Sequence, residues 1–261
     1  MRSISNLFSG VILRILSALP MRYVQSLERL SQSAQGKGWN SGIKNEIKAI
    51  QFLTEDLGIR EVVALDVGAN KGEWSYALKQ ELPASEIYAF EPSETAFGLM
   101  SKSLANLEGV FLYKSAIGAM SGEATLYSDQ PGSSLASLTK RRLDHLNIDF
   151  TISESIPVTT LDDWQAINTH VRPNILKIDV EGHELDVLKG AIGLLKSVIA
   201  VQFEFGGTNI DSRTYFQDYW YFFQPLGFTI FRLTPNGLSP VRRYTEANET
   251  FYFTTYYAVR N

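Results

Sequence analysis

The sequence predicts an α/β domain with a doubly wound, mostly parallel sheet, preceded by a helical extension. From residue 43 onward, short apolar runs rich in β-branched residues alternate with stretches of helical periodicity. This alternation is typical of βαβ units, in which helices cover both faces of a parallel sheet. The length of 261 residues fits one such domain with a short extension, and the 44% of hydrophobic residues exclude a disordered chain.

The composition excludes several classes of function. The chain has no Cys, which excludes disulfides, thiolate zinc sites and Cys nucleophiles. This fits a reducing compartment, so we expect a cytoplasmic protein. The formal net charge is −4, whereas binding to nucleic acid requires a basic surface that neutralises phosphates. We therefore expect no nucleic-acid partner, and the sequence leaves the oligomeric state open.

Residues 1–41 are expected to form a basic helical extension with a linker, ahead of a main domain over residues 42–261. The first 37 residues carry five Arg or Lys and one Glu. Pro20 is expected to end a first helix, and a second helix is predicted over residues 23–30. Apolar side chains recur at helical spacing in the first helix and form one stripe: Leu7, Phe8, Val11, Ile12, Ile15, Leu16 and Leu19.

Arg14 interrupts this apolar stripe too early for a transmembrane span, which needs about 20 apolar residues. Two interpretations of the extension stay open. In the first, the helix packs on the main domain. In the second, it is a basic amphipathic helix, and residues 1–30 contact an anionic membrane peripherally at its inner face.

Each element of the main domain has its own signal. Residues 43–57 place Ile43, Ile47 and Ile50 on one helical face, and Gly58 ends that helix. Further helices are predicted over residues 74–80, 95–107 and 184–195, and strands over residues 62–67, 86–90, 110–113, 157–161, 174–179 and 198–205.

The C-terminal part of the chain differs from the rest by its aromatic content. Residues 215–261 hold 15 aromatic side chains. Strands over residues 227–233 and 250–259, joined through the turn at residues 234–237, fit an antiparallel hairpin that closes one edge of the sheet. We interpret the aromatic cluster as core packing, and the alternative is a wall that binds an acceptor.

The most informative segment joins the first predicted strand to the following helix and reads Asp66-Val67-Gly68-Ala69-Asn70-Lys71-Gly72. Ligands bind at this place in doubly wound sheets. Gly68 and Gly72 allow a sharp turn and a close approach to a ligand. The segment lacks the third glycine of the dinucleotide fingerprint and the Gly-Lys-Ser/Thr of nucleotide triphosphatases. Asp66 suits a cationic or hydroxyl-bearing ligand better than a pyrophosphate.

The next predicted strand ends in Phe90-Glu91-Pro92. An acidic residue at this strand end can accept hydrogen bonds from both hydroxyls of a ribose. Together with Asp66, Gly68 and Gly72, Glu91 describes a site for a nucleoside with a cationic, amino-acid-like arm. The sequence therefore predicts S-adenosylmethionine (SAM) as the cofactor.

The strand over residues 174–179 runs into a loop that is dense in ionisable groups. This strand is expected beside the first one, so that Asp179 faces the same crevice as Gly68. Buried charges are costly unless they meet a ligand or each other, which makes the loop a candidate functional site and not only a solvated strand end. A metal site is not predicted, because the ionisable side chains of the loop lack a diagnostic ligand spacing: Asp179, Glu181, His183 and Glu184.

In four blocks the sequence resembles the FkbM-type SAM-dependent methyltransferases, and the resemblance covers residues 42–259. The blocks are Asp66-Val67-Gly68-Ala69-Asn70-Lys71-Gly72, Phe90-Glu91-Pro92, Ser115-Ala116-Ile117-Gly118 and Lys177-Ile178-Asp179-Val180-Glu181-Gly182-His183-Glu184. The resemblance implies a class I SAM-methyltransferase (Rossmann-like) sheet of seven strands with a C-terminal antiparallel hairpin. It also implies O-methylation of a small molecule or glycan, such as a sugar, a polysaccharide or a polyketide-like acceptor.

The resemblance further implies roles for single residues. The loop after the first strand would hold the methionine arm of SAM, Glu91 the ribose and residues 115–117 the adenine, while Asp179 would lie near the sulfonium and the acceptor. The cofactor-binding residues so implied are Asp66, Gly68, Ala69, Asn70, Gly72, Glu91, Pro92, Ser115, Ala116, Ile117 and Asp179.

Methyl transfer to a hydroxyl needs a general base, because a sugar hydroxyl is a poor nucleophile at neutral pH. The candidates are Asp179, His183 and Glu204. The stretch Gly132-Ser133-Ser134-Leu135 is either a lid over the acceptor or an ordinary surface loop. Two other functions stay open at this point, a non-catalytic binding or scaffold protein with this fold and an NAD-dependent oxidoreductase.

Overall fold

The computed structural model describes residues 2–261, with side chains from residue 10 onward. Strands form where apolar runs are bounded by turns, and helices form where an apolar stripe repeats. The strands are β1 (Val63–Val67), β2 (Glu86–Phe90), β3 (Val110–Tyr113), β4 (Ala116–Ile117), β5 (Gly122–Ser128), β6 (Ile152–Thr159), β7 (Ile175–Ile178), β8 (Ala200–Phe205), β9 (Phe228–Thr234), β10 (Gly237–Pro240) and β11 (Thr254–Arg260). The helices are α1 (Arg2–Ser17), α2 (Met21–Ala34), α3 (Gly42–Asp56), α4 (Glu73–Glu81), α5 (Glu94–Leu104), α6 (Leu161–Ile167), α7 (Glu184–Lys189), α8 (Thr208–Ser212) and α9 (Phe216–Phe223).

The main sheet has the strand order β10-β9-β11-β8-β7-β1-β2-β3. Strand β1 pairs in parallel with both β2 and β7, whereas β11 is antiparallel to β8 and β9. The chain leaves β1 towards β3 and returns on the opposite side of β1 with β7, so the strand order reverses between β1 and β7. This confirms the predicted doubly wound class I methyltransferase fold. Such a reversal is where open α/β sheets bind ligands.

The edge of the sheet differs in detail from the prediction. The two predicted C-terminal strands do pair antiparallel, as β9 and β11, but the turn at residues 234–237 leads into the short strand β10 instead of β11. Over residues 2–261 the main sheet thus has eight strands, one more than expected. Strand β10 ends at Pro240, which has no N–H to donate and is tolerated at a sheet edge.

A small second sheet lies beside the main one. Strand β6 pairs antiparallel with β5 and parallel with β4. The prediction covered this sheet only in part, through residues 157–161, because β5 is half-exposed and gives a weaker signal than a buried strand. The second sheet matters for function because it places Ala116, Ile117 and Leu126 against the cavity described below.

Many of the aromatic side chains of the C-terminal part pack in the core, as the first interpretation of this cluster predicts, whereas Tyr215, Tyr221, Tyr252 and Phe253 are exposed. Tyr219 of α9 stacks on Phe203 of β8, with 5.1 Å between ring centroids. Tyr256 of β11 stacks on the same Phe203 at 5.5 Å. Phe216 and Tyr219 are fully buried. These rings fasten α9 to the antiparallel end of the sheet, and among the aromatic residues from 215 onward it is Phe253 that lines the cavity.

The N-terminal helices lie outside the core. Helix α2 buries none of its side chains, and in α1 Val11, Leu13 and Ile15 are 54%, 68% and 59% exposed. Leu7 and Phe8 of the predicted stripe lie outside the described side chains. In the part of the chain that the structure describes, every helix falls short of the length and apolarity that a bilayer crossing requires.

The predicted linker is fastened to the main domain. The backbone N–H of Gly38 donates to the carbonyl of Phe253 at 2.8 Å, and Lys37 Nζ donates to the carbonyl of Ala247 at 3.0 Å. The end of α2 is therefore held against the segment that leads into β11.

Candidate active site

A cavity of ≈ 340 Å³ opens at the carboxyl ends of four neighbouring strands, β8, β7, β1 and β2. The pairing register of these strands places Glu204, Asp179, Gly68 and Glu91 in one row across the sheet. We call these four residues the strand-end row. Neighbouring strands are about 4.8 Å apart, so the row is roughly 14 Å long, which suits an extended ligand.

Most of the residues that the sequence predicted for the site line this cavity. They are Gly68, Ala69, Asn70, Glu91, Pro92, Ser115, Ala116, Ile117, Asp179, His183 and Glu204. The predicted cofactor residues Asp66 and Gly72 lie behind the cavity wall, because Asp66 is fully buried beneath the loop and Gly72 packs on α5. These two residues shape the site from behind.

The loop between β1 and α4 is held by close packing of its backbone. Gly68 has a φ of +77°, and a Cβ at this position would lie 1.8 Å from the carbonyl oxygen of Asp179. Gly72 has a φ of +82°, and a Cβ there would lie 2.8 Å from Leu104 Cδ1. The N–H of Gly68 donates to the carbonyl of Phe90 at 3.0 Å. The two glycines thus allow close contact with the loop after β7 and with α5, and Gly68 also lines the cavity.

Asp66 and Lys177 form an ion pair beneath this loop. Lys177 Nζ lies 3.0 Å from Asp66 Oδ1 and 3.6 Å from Asp179 Oδ2, and it donates to the carbonyl of Gly68 at 2.9 Å. The other carboxylate oxygen of Asp66 accepts from Ser75 Oγ at 2.7 Å. Burial lowers the pKa of Lys177, but the carboxylates of Asp66 and Asp179 outweigh burial and raise it overall. The ammonium group is therefore charged and already satisfied.

Glu91 faces the cavity at the end of β2. Its two carboxylate oxygens accept one backbone N–H each, from Asn70 at 2.9 Å and from Ser93 at 2.8 Å. Burial raises the pKa of Glu91 to about 7, against the opposing effect of these two donors. A carboxylate oxygen has two acceptor positions, so each oxygen of Glu91 keeps one for a ligand.

The loop after β7 is shaped by Glu184, which is 1% exposed. Glu184 Oε1 accepts from the N–H groups of Val180 and Gly182 at 3.1 and 3.0 Å, and Oε2 accepts from the Tyr219 hydroxyl at 3.3 Å. Glu184 therefore holds the loop and does not face a ligand. Within residues 2–261, no group of three or more His, Asp or Glu side chains is placed to hold a metal ion.

Glu181 adopts a left-handed backbone conformation, with a φ of +53°, and its side chain lines the cavity. Its Oε2 lies 3.0 Å from Arg141 Nη1, and Arg141 Nε lies 3.3 Å from Asp211 Oδ2. Burial and the nearby carboxylate of Asp179 raise the pKa of Glu181 to about 8, although Arg141 opposes the shift. The Arg141 guanidinium thus ties the loop after β7 to α8.

His183 is another of the predicted catalytic residues, and it lines the same cavity. Its Nδ1 lies 3.1 Å from Asp186 Oδ2, and its Nε2 lies 2.9 Å from Thr139 Oγ1. In the neutral imidazole, Nδ1 carries the proton because a carboxylate can only accept, and Nε2 then accepts from the Thr139 hydroxyl. The basic nitrogen of His183 is therefore already engaged.

The segment around residues 133–139 crosses one side of the cavity. Ser133 and Ser134 line it, and the carbonyl of Ser133 accepts from Asn70 Nδ2 at 3.3 Å. Ser137 Oγ donates to the carbonyl of Glu181 at 2.8 Å. These contacts join the segment to the loops after β1 and β7. A lid formed by residues 132–135 would need such contacts.

Glu204 stands apart from the other acidic residues of the cavity. Among the described residues, its carboxyl group has no hydrogen-bonding or ion-pair partner, although it lines the cavity. Burial raises the pKa of Glu204 well above its usual range, and the carboxylates of Asp179 and Glu46 add to this effect.

Glu46 of α3 also lines the cavity, although it was not among the site residues predicted from the sequence. Its oxygens accept from Ser41 Oγ at 3.0 Å and from Gln202 Nε2 at 2.9 Å, and burial raises its pKa in spite of these bonds. A signal was present, because Glu46 lies between Ile43 and Ile47 on the apolar face of a helix. Other lining residues that the sequence did not single out are Asn40, Trp74 and Phe253.

Known proteins share parts of this sequence. A family model described as Methyltransferase FkbM domain matches residues 66–230. Methyltransferase 1 of Beauveria bassiana is 29% identical over 141 residues, which cover 48% of this chain and 57% of the relative. Hexuronic acid methyltransferase AglP of Haloferax volcanii is 26% identical over 157 residues, 60% of either chain. The chain thus spans less than two thirds of the length of these two relatives.

A further relative and a solved structure were also found. The 2-O-methyltransferase NoeI of Sinorhizobium fredii is 22% identical over 181 residues, 65% of this chain and 74% of the relative. The structure of a TehB-like SAM-dependent methyltransferase from Corynebacterium glutamicum superposes with a TM-score of 0.44 at 10% identity, over 92% of this chain and 97% of that chain.

The ion pair beneath the glycine loop can be tested by substitution. Lys177→Met should destabilise the fold by about 3–5 kcal/mol, because it leaves Asp66 buried and charged without its partner. The double variant Lys177→Met/Asp66→Asn should lose less, since the charge that needs the partner is gone. Urea unfolding measures both, and the exposed control Lys102→Met should stay within about 0.5 kcal/mol of the unaltered protein. Equal losses in the single and double variants would contradict the ion pair.

Proposed function

Because the chain belongs to the FkbM methyltransferase family, we propose that it transfers a methyl group from SAM to a hydroxyl group of a small molecule or glycan. The observation that carries the proposal is the strand-end row. At one end of the cavity, Glu91 keeps two hydrogen-bond acceptor positions that suit a ribose, and at the other end Glu204 has no partner among the described residues. A sugar is the leading acceptor class, since one relative is named a hexuronic acid methyltransferase and another a 2-O-methyltransferase.

The Glu91 end of the cavity fits the cofactor. The two acceptor positions that Glu91 keeps match the two hydroxyls of a ribose. Residues 115–117 line the neighbouring wall, where the adenine would lie. Gly68 and Asp179 would then face the methionine arm, and the Asp179 carboxylate would stabilise the positive charges of that arm.

Bound SAM supplies a methyl group that is already activated by its positively charged sulfur. The residues of the chain have two tasks, to align the acceptor hydroxyl with that methyl group and to take up the hydroxyl proton. The new C–O bond forms as the C–S bond breaks, and the sulfur leaves as an uncharged thioether.

We assign the proton to Glu204 before the other two candidates. Among the described residues Glu204 has no partner, and its raised pKa makes it a stronger base than an ordinary carboxylate. The positive charge of the cofactor favours its ionised form. Asp179 already has the Lys177 ammonium group 3.6 Å away, and Nε2 of His183 lies 2.9 Å from the Thr139 hydroxyl.

We also propose that the N-terminal helices lie on an anionic membrane surface, with the main domain on its cytoplasmic side. Val11, Leu13 and Ile15 of α1 are exposed, and α2 buries no side chain. The first 37 residues carry five basic groups and one acidic group. Exposed apolar side chains among basic ones are typical of helices that lie in the headgroup region of anionic lipids.

Thermal unfolding tests the cofactor. SAM and its product S-adenosylhomocysteine should both raise the unfolding midpoint, whereas NAD should not. A ligand at about 100 times its Kd adds roughly 2.7 kcal/mol of stability, which is on the order of 5–10 °C for a chain of this size. Glu91→Gln should shrink the shift, because the amide loses an acceptor oxygen, and the exposed control Glu123→Gln should not. A shift with NAD alone, or with none of the three, would overturn the proposal.

Turnover tests the base. Glu204→Gln should lower kcat about 10²–10⁴-fold, because the amide cannot take up the hydroxyl proton, while affinity for S-adenosylhomocysteine changes little. The measurement is release of S-adenosylhomocysteine in the presence of glycosides that differ in one free hydroxyl. His183→Ala serves as the comparison. If His183→Ala abolishes turnover and Glu204→Gln does not, then the base is His183.

Vesicle flotation tests the membrane contact. The protein should float with phosphatidylcholine vesicles that contain phosphatidylglycerol and much less with phosphatidylcholine alone. Leu13→Glu/Ile15→Glu should lose flotation, because both apolar side chains become acidic. The control Ile167→Glu changes a side chain of the main domain that is 83% exposed and should float normally. Equal flotation of the double variant and the control would rule out the contact.

A further inference from the structure

Acidic side chains converge on the acceptor end of the cavity from three elements. Glu46 comes from α3, Asp179 from the loop after β7 and Glu204 from β8, and all three line the cavity. Thr255 of β11 pairs directly with Glu204. It is 2% exposed, and its hydroxyl has no partner among the described residues. This end of the cavity therefore holds a carboxyl group without a partner among the described residues, and the paired position on β11 carries a buried hydroxyl that also lacks one.

The lysine nearest to these acids is already paired. Lys177 Nζ lies 3.0 Å from the buried Asp66 and donates to the carbonyl of Gly68 at 2.9 Å. Its distance to Asp179 is longer, 3.6 Å. Lys71 also lines the cavity, but it is exposed on the glycine loop at the cofactor side. The positive charge of Lys177 opposes the rise that burial causes in the pKa of Glu204 and of Glu46, but neither lysine forms an ion pair with Glu204 among the described residues.

The nearby arginine is paired as well. Arg141 binds Glu181 at 3.0 Å and Asp211 at 3.3 Å, and its side chain is 9% exposed. Within the described residues, no cation forms an ion pair with Glu204 or Glu46. The acceptor end of the cavity thus holds more acidic groups than basic ones.

We propose that the acceptor subsite beside Glu204 is anionic, so that it takes an uncharged or cationic hydroxyl compound, such as a neutral or amino sugar. It rejects a compound that carries a carboxylate or phosphate beside the reacting hydroxyl. The inference rests on the proposed function, since it concerns the acceptor of the same reaction. Glu46 lies outside residues 66–230, which match the family model, so this wall of the subsite is built by a part of the chain beyond the matched domain.

The pKa values of these acids reflect their burial and crowding, which favour the uncharged form of each group until a cation binds. Burial raises the pKa of Glu204 and of Glu46, and the negative charge of Asp179 raises both further. Burial together with Asp179 likewise raises the pKa of Glu181 to about 8. Like charges that share a site oppose each other's ionisation. A cationic ligand relieves this repulsion, whereas an anionic ligand adds to it.

The sign of the subsite can be measured before the acceptor is known. Sinefungin is a SAM analogue with an ammonium group where SAM has its transferable methyl, and S-adenosylhomocysteine has no charge there. Isothermal titration of the full chain at neutral pH gives the Kd of each. We expect sinefungin to bind at least tenfold more tightly. In Glu204→Gln this preference should fall at least fivefold while the Kd of S-adenosylhomocysteine stays close to its original value.

Controls separate this inference from the proposed function. The exposed Glu123→Gln should keep the full preference for sinefungin, and Glu46→Gln is the second variant should Glu204→Gln fail to fold. Equal affinities of the two compounds for the unaltered protein would overturn the anionic subsite and leave the proposed function standing. An unchanged preference in the folded Glu204→Gln variant would overturn it too. If the unaltered protein binds neither compound, the proposed function is overturned, and the inference with it.

Discussion

The cavity depends on one buried cation. Lys177 pairs with Asp66 on the neighbouring strand and donates to the carbonyl of Gly68. A carboxylate and an ammonium are each costly to remove from water, and here each compensates for the other. Because the third contact is to the glycine loop, the ion pair that holds the centre of the sheet together also sets the position of that loop. The same ammonium group lies 3.6 Å from Asp179, whereas Glu204 and Glu46 form no ion pair within the described residues.

The ends of the central strands are further joined through their backbones. The N–H of Asp179 donates to the carbonyl of Val67 at 3.0 Å, and the N–H of Gly68 donates to the carbonyl of Phe90 at 3.0 Å. Glu91 accepts from the backbone of Asn70, in the loop of the strand beside it. Each strand end in the middle of the sheet is thus positioned by its neighbour. The backbone pairing of the sheet therefore sets the spacing between the residues that the proposed chemistry uses.

Sequence alone predicts well the part of the site that follows from strand order. In a parallel sheet the carboxyl ends of the strands meet at one edge, so an acid that follows a strand, such as Glu91 or Asp179, is expected there. Glu46 and Phe253 could not be placed in this way. They reach the cavity from α3 and from the segment before β11, and nothing in their local sequence shows which strand ends these segments cover.

Asp66 and Gly72 illustrate a second limit of sequence analysis. Asp66 lies near the end of β1 and Gly72 in the loop that follows it, yet they contact Lys177 and Leu104, which lie far away in sequence. A motif marks where a loop stands but not which of its residues face outward. Only the packing of β7 and α5 against the loop decides that.

The contact between Gly68 and the carbonyl of Asp179 has a consequence for the conformational entropy of the site. At 1.8 Å from a Cβ that Gly68 does not have, this carbonyl leaves no room for the two loops to slide past each other. The cofactor side and the acceptor side of the cavity are therefore joined by close backbone packing. In the proposed reaction, the entropy that orders these two loops is lost when the chain folds and not when an acceptor binds. Catalysis in such a site relies on preorganisation. The remaining entropy loss is that of the acceptor molecule, which gives up translational and rotational freedom when it binds.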